Sequence, residues 1–456
     1  MPNDNVFGWR KDVVELLKEI NVPIIRYPGG CYASFYDWRK YVGPRDTRET
    51  TDSFFWGSLD DNDASIDEFL KLCDEIDCEP QICINMMSST PFKAAEFVEY
   101  LNGPESSSMG KFRLENGVKR KRKVRYFEMD NEAGRKWNAL DYARNVVQFS
   151  KSMKSVDSDI KLMMMCYSFD QGEEYFEQML EIAGDHIDYV IYRNGSPQFV
   201  NHVLSILKKY NDENGTSIKL TNTEWLADGN SPEPFEDKNI PQNHTWSWRV
   251  ENDYKKVLSF RQIHWFYALN GSAQLLDYLS YGGNFFLSNF NNCVNTWGQN
   301  VIESSKEGAW LSPMGEVFRF FASHDDRFPL QSELLSGNRK GKDTFLKDVI
   351  IQQSDVNFPL QVNRQSQTDF FKIQACETNN GINIYFINKS TESVQLEAML
   401  PEGYQIMSCE TLYGDDRLSR TSLDHSDIKS NVVKLNNPES IEIYPLSINR
   451  IKAEKK

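Results

Sequence analysis

The sequence has no long hydrophobic run, since no stretch of eighteen apolar residues occurs in its 456 residues. The first twenty residues, MPNDNVFGWRKDVVELLKEI, also lack an apolar signal core. These absences argue against a membrane-spanning helix. They predict a cytoplasmic protein with no membrane partner.

Histidine is scarce, with six residues, and the eight cysteines form no C-x-x-C pair and no zinc-like spacing with histidine. Reduced and mostly buried thiols are therefore expected, without a metal or a cofactor. The H-E-x-x-H, P-loop and G-x-S-x-G motifs are missing as well. Metalloprotease, NTPase and serine-hydrolase functions thus have no support.

Basic residues are fewer than acidic ones, with 51 lysines and arginines against 66 aspartates and glutamates, which gives a net charge of −15. Nucleic-acid affinity depends on neutralising phosphates, so no nucleic-acid partner is expected. What the chain does contain is an ordinary globular balance of 40% hydrophobic and 26% charged residues. Aromatic residues make up 13%, and their faces fill cores or stack on sugars.

Short apolar runs alternate with amphipathic helical segments between Val13 and Asn289, which is typical of βα units around a parallel sheet. Seven candidate strands are Val22–Tyr27, Glu79–Asn85, Val124–Glu132, Ile160–Cys166, Ile187–Tyr192, Ile218–Glu224 and Asn284–Asn289. The count is one short of a closed eight-stranded barrel. We therefore predict an α/β fold, a (β/α)8 or TIM-type barrel that lacks one strand.

The pattern changes after Phe328 to period-two alternation, as in GINIYFIN, VQLEAML and SIEIYPLSINRIK. Turn-rich segments such as NKSTES and GDDRL separate these runs. The alternation predicts an antiparallel β-sandwich. The expected domains are a catalytic barrel over residues 1–327 and a C-terminal sandwich over residues 328–456.

Two carboxylates lie at the ends of predicted strands, Glu132 in YFEMDNE and Glu224 in KLTNTE. In a (β/α)8 barrel the chemistry takes place at the carboxyl ends of the strands, where the βα loops form the mouth. Cleavage of a glycosidic bond requires such a pair of carboxyl groups, one to donate a proton and one to attack or to activate water. The pair therefore indicates a glycosidase.

Several motifs resemble glycoside hydrolase family 51, the α-L-arabinofuranosidases, which belong to the large clan of (β/α)8 retaining glycosidases. The resemblance runs from about Gly8 to the C-terminus, and the block from Arg26 to Arg48 is its most specific part. The motifs are RYPGGCYASFYDWRKYVGPRDTR, FEMDNE, TNTEW, NNCVNTWGQNVIE and LSPMGEVFRFF.

The resemblance implies roles for five residues. Glu132 corresponds to the acid/base and Glu224 to the nucleophile. Asn131 is expected to bind the sugar 2-hydroxyl, a contact that strengthens as the oxocarbenium-like transition state forms. Arg26 is expected to pair with the nucleophile and to keep it ionised. Trp297 either covers the pocket by stacking or packs in the core.

Two positions depart from the family pattern. The family carries a histidine near the end of the sixth strand, where this chain has Tyr192 and Arg193. Arg193 either enters the mouth, where it suits a carboxylated sugar, or turns outward onto a surface acid. The family commonly has asparagine after the two glycines, where this chain has Cys31. All three residues are candidate substrate-binding residues.

The missing strand is expected to be the first one, because the chain begins at what resembles the first barrel helix. An open barrel of seven strands exposes two parallel edges, which proteins normally pair or cover. Three explanations for the gap stay open: the chain is truncated, its own segments fill the gap, or a partner chain fills it. Association into a homo-oligomer is thus left open.

Three functions fit these observations. The first is a retaining α-L-arabinofuranosidase that releases arabinofuranosyl units from oligosaccharides or polysaccharides. The second keeps the two glutamates but acts on another substrate, a β-xyloside, a β-glucan or a glycan with uronic acid. The third is a non-catalytic carbohydrate-binding barrel, although a decayed site is expected to have lost one of the four residues Arg26, Asn131, Glu132 and Glu224.

Overall fold

The chain folds into two compact units in the computed structural model. Unit 1 comprises residues 1–225 and 286–289, and unit 2 comprises residues 226–285 and 290–456. The predicted domain boundary between residues 327 and 328 stays a prediction. The structure describes residues 4–53, 58–60, 62–119, 123–135, 137–166, 175–193, 197–227, 263–295, 299–323, 325–334, 345–352 and 370–456.

The helices and strands are labelled in chain order. The α-helices are α1 (Lys11–Glu19), α2 (Ile66–Ile76), α3 (Pro91–Asn102), α4 (Ser108–Glu115), α5 (Ala139–Val156), α6 (Phe176–Ala183), α7 (Pro197–Asn214), α8 (Trp265–Ser280) and α9 (Pro313–Ala322). Short 3-10 helices span Cys31–Phe35, Trp38–Tyr41, Arg45–Thr47, Ala133–Arg135, Gly184–His186 and Gly282–Asn284.

The strands up to the end of the parallel sheet are β1 (Asn5–Val6), β2 (Trp9–Arg10), β3 (Ile24–Tyr27), β4 (Thr51–Ser53), β5 (Ser58–Asp60), β6 (Glu79–Ile84), β7 (Tyr126–Met129), β8 (Lys161–Met165), β9 (Tyr189–Ile191), β10 (Lys219–Trp225) and β11 (Phe285–Phe290). The later strands are β12 (Ile302–Ser304), β13 (Ala309–Leu311), β14 (Phe328–Leu334), β15 (Phe345–Gln352), β16 (Phe371–Glu377), β17 (Gly381–Asn388), β18 (Val394–Met399), β19 (Tyr404–Gly414), β20 (Ile428–Lys434), β21 (Ile441–Ile443) and β22 (Ser447–Lys455).

Unit 1 contains a seven-stranded sheet in the order β11-β10-β9-β8-β7-β6-β3. The neighbours from β3 through β10 pair in parallel. All seven predicted barrel strands are present in this sheet, which confirms the (β/α)8-type fold. Among the described residues, β3 and β11 are its edge strands.

The central strands of unit 1 are apolar on both faces. Met163, Met164 and Met165 of β8 are each 0% exposed, and Phe127 of β7 and Ile82 of β6 are equally buried. A parallel sheet is covered by helices on its outer face, so its strands read as continuous apolar runs rather than as an alternation. This explains why these strands could be recognised in the sequence.

Helix starts in unit 1 follow the usual capping chemistry. Ser65 caps α2 in a capping box with Glu68, and Arg48 donates to both carboxylate oxygens of Glu68 at 3.0 and 3.1 Å. Thr90 caps α3, whose first residue is Pro91. These caps satisfy backbone N–H groups that have no partner within the helix.

Unit 2 contains a nine-stranded sheet in the order β20-β19-β22-β17-β16-β14-β15-β18-β21. Strand β14 pairs with β16 on one side and β15 on the other, so it joins two layers. Ile384 and Phe386 of β17 share one apolar core with Leu396 of β18 and Ile443 of β21. This core between layers confirms the predicted β-sandwich.

Helix α8 belongs to unit 2, where it packs against β16, β17 and β22. Its first residue, Trp265, is fully buried and donates its indole N–H to the Leu446 carbonyl at 2.6 Å. A helix of mostly buried residues can resemble a membrane segment in sequence. In the described part of the chain, however, no helix combines the length and the apolar composition needed to cross a bilayer.

Candidate active site

Five predicted site residues lie in or directly after strands of unit 1. Arg26 is in β3, Glu224 is in β10, Asn131 and Glu132 follow β7, and Arg193 follows β9. The carboxyl ends of parallel strands meet at one edge of a sheet, which in this fold class is the catalytic face. Hydrogen bonds and ion pairs bring these side chains together.

A buried carboxylate, Glu128 of β7, lies at the centre of this cluster and is 0% exposed. Arg26 donates to both of its oxygens, from Nε at 2.5 Å and from Nη2 at 3.0 Å. Gln81 donates to Oε2 at 3.1 Å, Thr223 to Oε1 at 2.8 Å and Arg193 to Oε1 at 3.4 Å. These five donated hydrogen bonds offset the cost of burying the charge, because a buried charge is tolerated only when it is paired and hydrogen-bonded.

Arg26 connects Glu128 with the candidate nucleophile Glu224 and with Asn131. Its Nη1 lies 3.2 Å from Glu224 Oε2, and its Nη2 donates to Asn131 Oδ1 at 2.7 Å. Burial alone lowers the pKa of Arg26, but Glu128, Cys83 and Glu224 together raise this pKa above its ordinary value. The predicted pairing of Arg26 with the candidate nucleophile is present in the structure.

The two glycines after Arg26 have a local structural reason. Gly29 has φ +73° and Gly30 has φ +58°, a backbone region in which other L-residues are strained. A Cβ on Gly29 would also lie 3.2 Å from Arg26 Nη1. The PGG sequence therefore lets the backbone turn closely around the guanidinium group.

Arg193 points into the same cluster and is only 5% exposed. Its Nη1 lies 3.0 Å from Glu224 Oε2, and its Nη2 donates to Asn131 Oδ1 at 2.8 Å and to Glu128 Oε1 at 3.4 Å. Of the two alternatives drawn from the sequence, the structure selects the inward one. Arg193 pairs with two carboxylates of the site, Glu128 and Glu224.

The charge of Arg26 affects the pKa of Arg193. Burial, and after it the positive charge of Arg26, lower the pKa of Arg193 from its ordinary value, whereas Glu224, Glu128 and Glu132 act in the opposite direction. Arginine stays protonated in proteins, so two cations and two anions, Glu128 and Glu224, form one compact network. Their charges balance each other.

Asn131 is positioned by the residue before it. Asp130 is fully buried and has φ +65°. Its carboxylate accepts from Ser34 Oγ at 2.5 Å and from the backbone N–H groups of Met86 and Met87 at 2.8 and 3.0 Å. These bonds hold a backbone conformation that is costly for a residue with a side chain, and such strain concentrates at functional sites. The turn directs Asn131 toward the arginines.

Glu132 is partly buried and also has positive φ, +44°. The Cys31 thiol lies 3.8 Å from Glu132 Oε2, and Asn131 Nδ2 lies 3.8 Å from the same sulfur. Cys31 thus occupies the site, at a position where the family commonly has asparagine. Its contact with substrate stays a prediction.

Two further predicted residues have less definite outcomes. Tyr192 is buried, and its backbone N–H donates to the Thr221 carbonyl at 3.0 Å, so its role in sugar binding stays a prediction. Trp297 lies outside the described residues. Within the described ranges, no group of three or more histidine, cysteine or acidic side chains is placed to hold a metal ion.

Sequence reasoning missed Glu128, Gln81 and Thr223 as members of the site. Glu128 stands between Phe127 and Met129, so an acid inside an apolar strand was the available signal. Its role as the shared anion of two arginines depends on Arg26 and Arg193, which lie 102 and 65 positions away in sequence. No local motif shows such a contact.

Fold and site together define a (β/α)8-type barrel with acidic and basic side chains gathered at the ends of its strands. Residues 16–213 match the alpha-L-arabinofuranosidase 1 domain. Alpha-L-arabinofuranosidase C of Emericella nidulans is 37% identical over 162 residues, which cover 34% of this chain and 32% of that protein. The match therefore spans about a third of that relative's length.

An intracellular exo-alpha-(1->5)-L-arabinofuranosidase of Acetivibrio thermocellus is 30% identical over 267 residues, which cover 52% of each chain. Among solved structures, the alpha-L-arabinofuranosidase of Thermotoga maritima in its arabinose complex has a TM-score of 0.72 at 23% identity and covers 99% of this chain and 92% of its own. A family 51 enzyme of Bifidobacterium longum has a TM-score of 0.77 at 16% identity, with coverages of 100% and 91%.

These matches confirm the resemblance carried by the motifs: over the matched residues the chain is similar to α-L-arabinofuranosidases. The structural likenesses, at less than 25% identity, support the fold. The site geometry and the related sequences together are the basis for the function proposed next.

Proposed function

We propose that this chain is a retaining glycoside hydrolase that releases α-L-arabinofuranosyl units by double displacement. The observation that carries the proposal is the position of Glu224, whose Oε2 lies 3.2 Å from Arg26 and 3.0 Å from Arg193. Two guanidinium groups favour the ionised carboxylate, which is the form a nucleophile needs. The acid/base candidate Glu132 directly follows Asn131, which both arginines contact.

In the first step, protonated Glu132 donates its proton to the glycosidic oxygen while Glu224 attacks the anomeric carbon. The bond to the leaving group breaks, and a glycosyl ester forms on Glu224. In the second step, Glu132 as a carboxylate takes a proton from water, and the water oxygen attacks the anomeric carbon. Glu224 leaves as a carboxylate, and the sugar keeps its anomeric configuration.

The charge balance of the site affects whether it binds a neutral or an acidic sugar. Arg193 was the reason to consider a glycan with uronic acid. In the structure, its charge is already offset by Glu128 and Glu224. A substrate carboxylate would add a negative charge beside two existing carboxylates, which is unfavourable in a partly buried site. The arrangement therefore favours a neutral sugar over one that carries a carboxylate.

The test is a screen of purified protein against aryl furanosides and aryl pyranosides, including a glucuronide. Turnover of the 4-nitrophenyl α-L-arabinofuranoside with little or no hydrolysis of the others is expected. Turnover of a pyranoside or the glucuronide alone would assign a different sugar. Absence of all turnover, with polysaccharide binding retained, would support the non-catalytic alternative.

We also propose that the protein works in the cytoplasm and forms no complex with nucleic acid. The Acetivibrio thermocellus relative is an intracellular arabinofuranosidase by name. All eight cysteines lie among the described residues, none of them forms a disulfide, and seven are buried. Disulfides are uncommon in reducing compartments, so this supports the proposal. Cell fractionation tests the location, and light scattering of the purified chain tests for a homo-oligomer.

A further inference from the structure

We propose that Arg193 is a positioning residue for the candidate nucleophile Glu224, a task that it shares with Arg26. The inference rests on the proposed function, since it names how the same site is organised. Both guanidinium groups approach the same oxygen of Glu224, Oε2, through their Nη1 atoms. Both also donate through Nη2 to Asn131 Oδ1.

The matched contacts have a geometric consequence. Arg26 Nη1 donates a hydrogen bond to Glu224 Oε2, and Arg193 Nη1 forms an ion pair with the same oxygen. A carboxylate held at one oxygen by two guanidinium groups from different segments of the chain cannot rotate without losing a charged contact. Because Oε2 is engaged by both arginines, the attacking oxygen in this proposal is Oε1. The same pair of donors fixes the carbonyl end of the Asn131 amide, so the Nδ2 end is directed away from the guanidinium groups.

Glu128 supplies the anchor for both arginines. It binds Arg26 through Nε and Nη2, and Arg193 through Nη2. As it is fully buried and also receives the Thr223 hydroxyl, it holds the two cations at fixed positions. Without this shared anion, two neighbouring guanidinium groups would repel each other.

Arg193 is a better candidate for positioning than for recognising an acidic sugar. Its Nη2 already contacts Asn131 and Glu128, and its Nη1 faces Glu224. A guanidinium group with planar, forked donors suits such a task, and lysine cannot reproduce it because an ammonium is a single point charge. The role is therefore specific to arginine at this position.

The charged and titratable groups around Glu224 define the pH readout. Arg26 approaches from β3 and Arg193 from the segment after β9. Glu128 contacts both arginines, Glu132 acts on Arg193, and Cys83 acts on Arg26. Removing one of the two cations raises the pKa of Glu224, because a nearby positive charge favours the ionised form.

The experiment compares wild type with Arg193→Ala, Arg193→Lys and the control Arg144→Ala. Arg144 is 60% exposed and pairs with Asp141 on α5, so its loss removes one positive charge and a surface ion pair outside the site. For Arg193→Ala, kcat on the aryl arabinofuranoside is expected to fall roughly 10- to 150-fold, with a smaller change in KM. The acid limb of its kcat/KM profile is expected to move about one unit to higher pH.

Arg193→Lys keeps the charge but cannot hold Glu224 and Asn131 together. We expect its acid limb to stay near the wild-type position while kcat is reduced, and Arg144→Ala to match wild type. Unchanged kcat and an unchanged acid limb in Arg193→Ala, or a loss confined to KM, would overturn the proposal. If Arg193→Ala does not fold, a wild-type kcat in Arg193→Lys would overturn it equally.

A measurement without substrate separates this inference from the proposed function. Carbon-13 NMR of glutamate carboxyl groups, with Glu224→Gln to assign the Glu224 signal, gives the pKa of Glu224 directly. A higher value in Arg193→Ala than in wild type supports the positioning role even if no furanoside is hydrolysed. Equal values in the two proteins contradict it even if the enzyme is active.

Discussion

Replacing Glu128 by glutamine tests the charge network of unit 1. The change keeps the size of the side chain and removes the negative charge that Arg26 and Arg193 share. Whichever way the new amide is oriented, its NH2 group faces donors. At the Oε2 position these are Arg26 Nε and Gln81 Nε2, and at the Oε1 position Arg26 Nη2, Thr223 Oγ1 and Arg193 Nη2.

The expected loss of unfolding free energy in Glu128→Gln follows from the burial of the ion pair. Glu128 is 0% exposed and Arg26 is 8% exposed, so water cannot replace the lost contacts. Removing one partner of a buried ion pair costs about 3–5 kcal/mol of unfolding free energy. The matched control is Glu177→Gln, because Glu177 is 56% exposed and lies 3.7 Å from Lys209. Its cost is expected to be about 0–1 kcal/mol.

Hydrogen–deuterium exchange with mass spectrometry across a urea series is the suitable assay, because it reads the two compact units separately. Peptides from β7 and β10 are expected to lose protection at lower urea in Glu128→Gln, while sandwich peptides such as β17 do not change. If β7 peptides of Glu128→Gln lose protection at the same urea concentration as those of the Glu177→Gln control, the account of Glu128 as the anchor of both arginines is refuted.

Two further predictions concern the acid/base and a buried cap. Glu132→Ala is expected to hydrolyse aryl arabinofuranosides with good leaving groups far better than those with poor ones, because acid catalysis matters less as the leaving group improves; equal losses in steady-state kinetics would contradict its role. Glu68→Gln breaks the bidentate contact with Arg48 and is expected to cost about 1–3 kcal/mol at neutral pH. Burial acts to raise the pKa of Glu68, but hydrogen bonds from Arg48 and Ser65 lower this pKa overall. The ionised Glu68 side chain therefore stabilises the fold above the unfolded pKa of about 4.3, and this stabilisation is lost as pH falls through the lower folded pKa. Thermal unfolding at several pH values should therefore show the difference between Glu68→Gln and wild type shrinking in acid, and a constant difference would refute this.

The secondary structure of the barrel could be predicted closely because its signals are local. The segment ALDYARNVVQFSKSMKSV forms α5 over Ala139–Val156, and all seven predicted strands occur within a few residues of their expected bounds. The largest deviation is β7, which ends at Met129 although a strand to Glu132 was expected. Its end is set by Asp130, whose positive φ is incompatible with an extended strand.

A second deviation lies in the sandwich. The run SIEIYPLSINRIK was expected as one alternating segment, but the chain forms β21 and β22 with a break between them. Pro445 has no N–H to donate to a ladder, and Leu446 has φ +45°. The proline was a readable signal for this break, whereas the conformation of Leu446 was not.

The site was predictable in part. Glu132, Glu224, Asn131 and Arg26 stand in motifs, and the structure brings Arg26, Asn131 and Glu224 into direct contact. The direction of Arg193 and the role of Glu128 were not readable. Both depend on which long-range partners meet at the strand ends, and the period-two pattern of a strand only says which residues share a face.

The central claim is that Glu224 is the nucleophile of a retaining furanosidase. Its most direct test uses Glu132→Ala, in which the second step is slowed, together with an aryl α-L-arabinofuranoside carrying a good leaving group. Rapid quenching and mass spectrometry of peptides are expected to show one pentosyl group attached to the peptide that contains Glu224, and none in the double variant with Glu224→Ala. A pentosyl group on another residue, or turnover with inverted configuration and no adduct, would contradict the account.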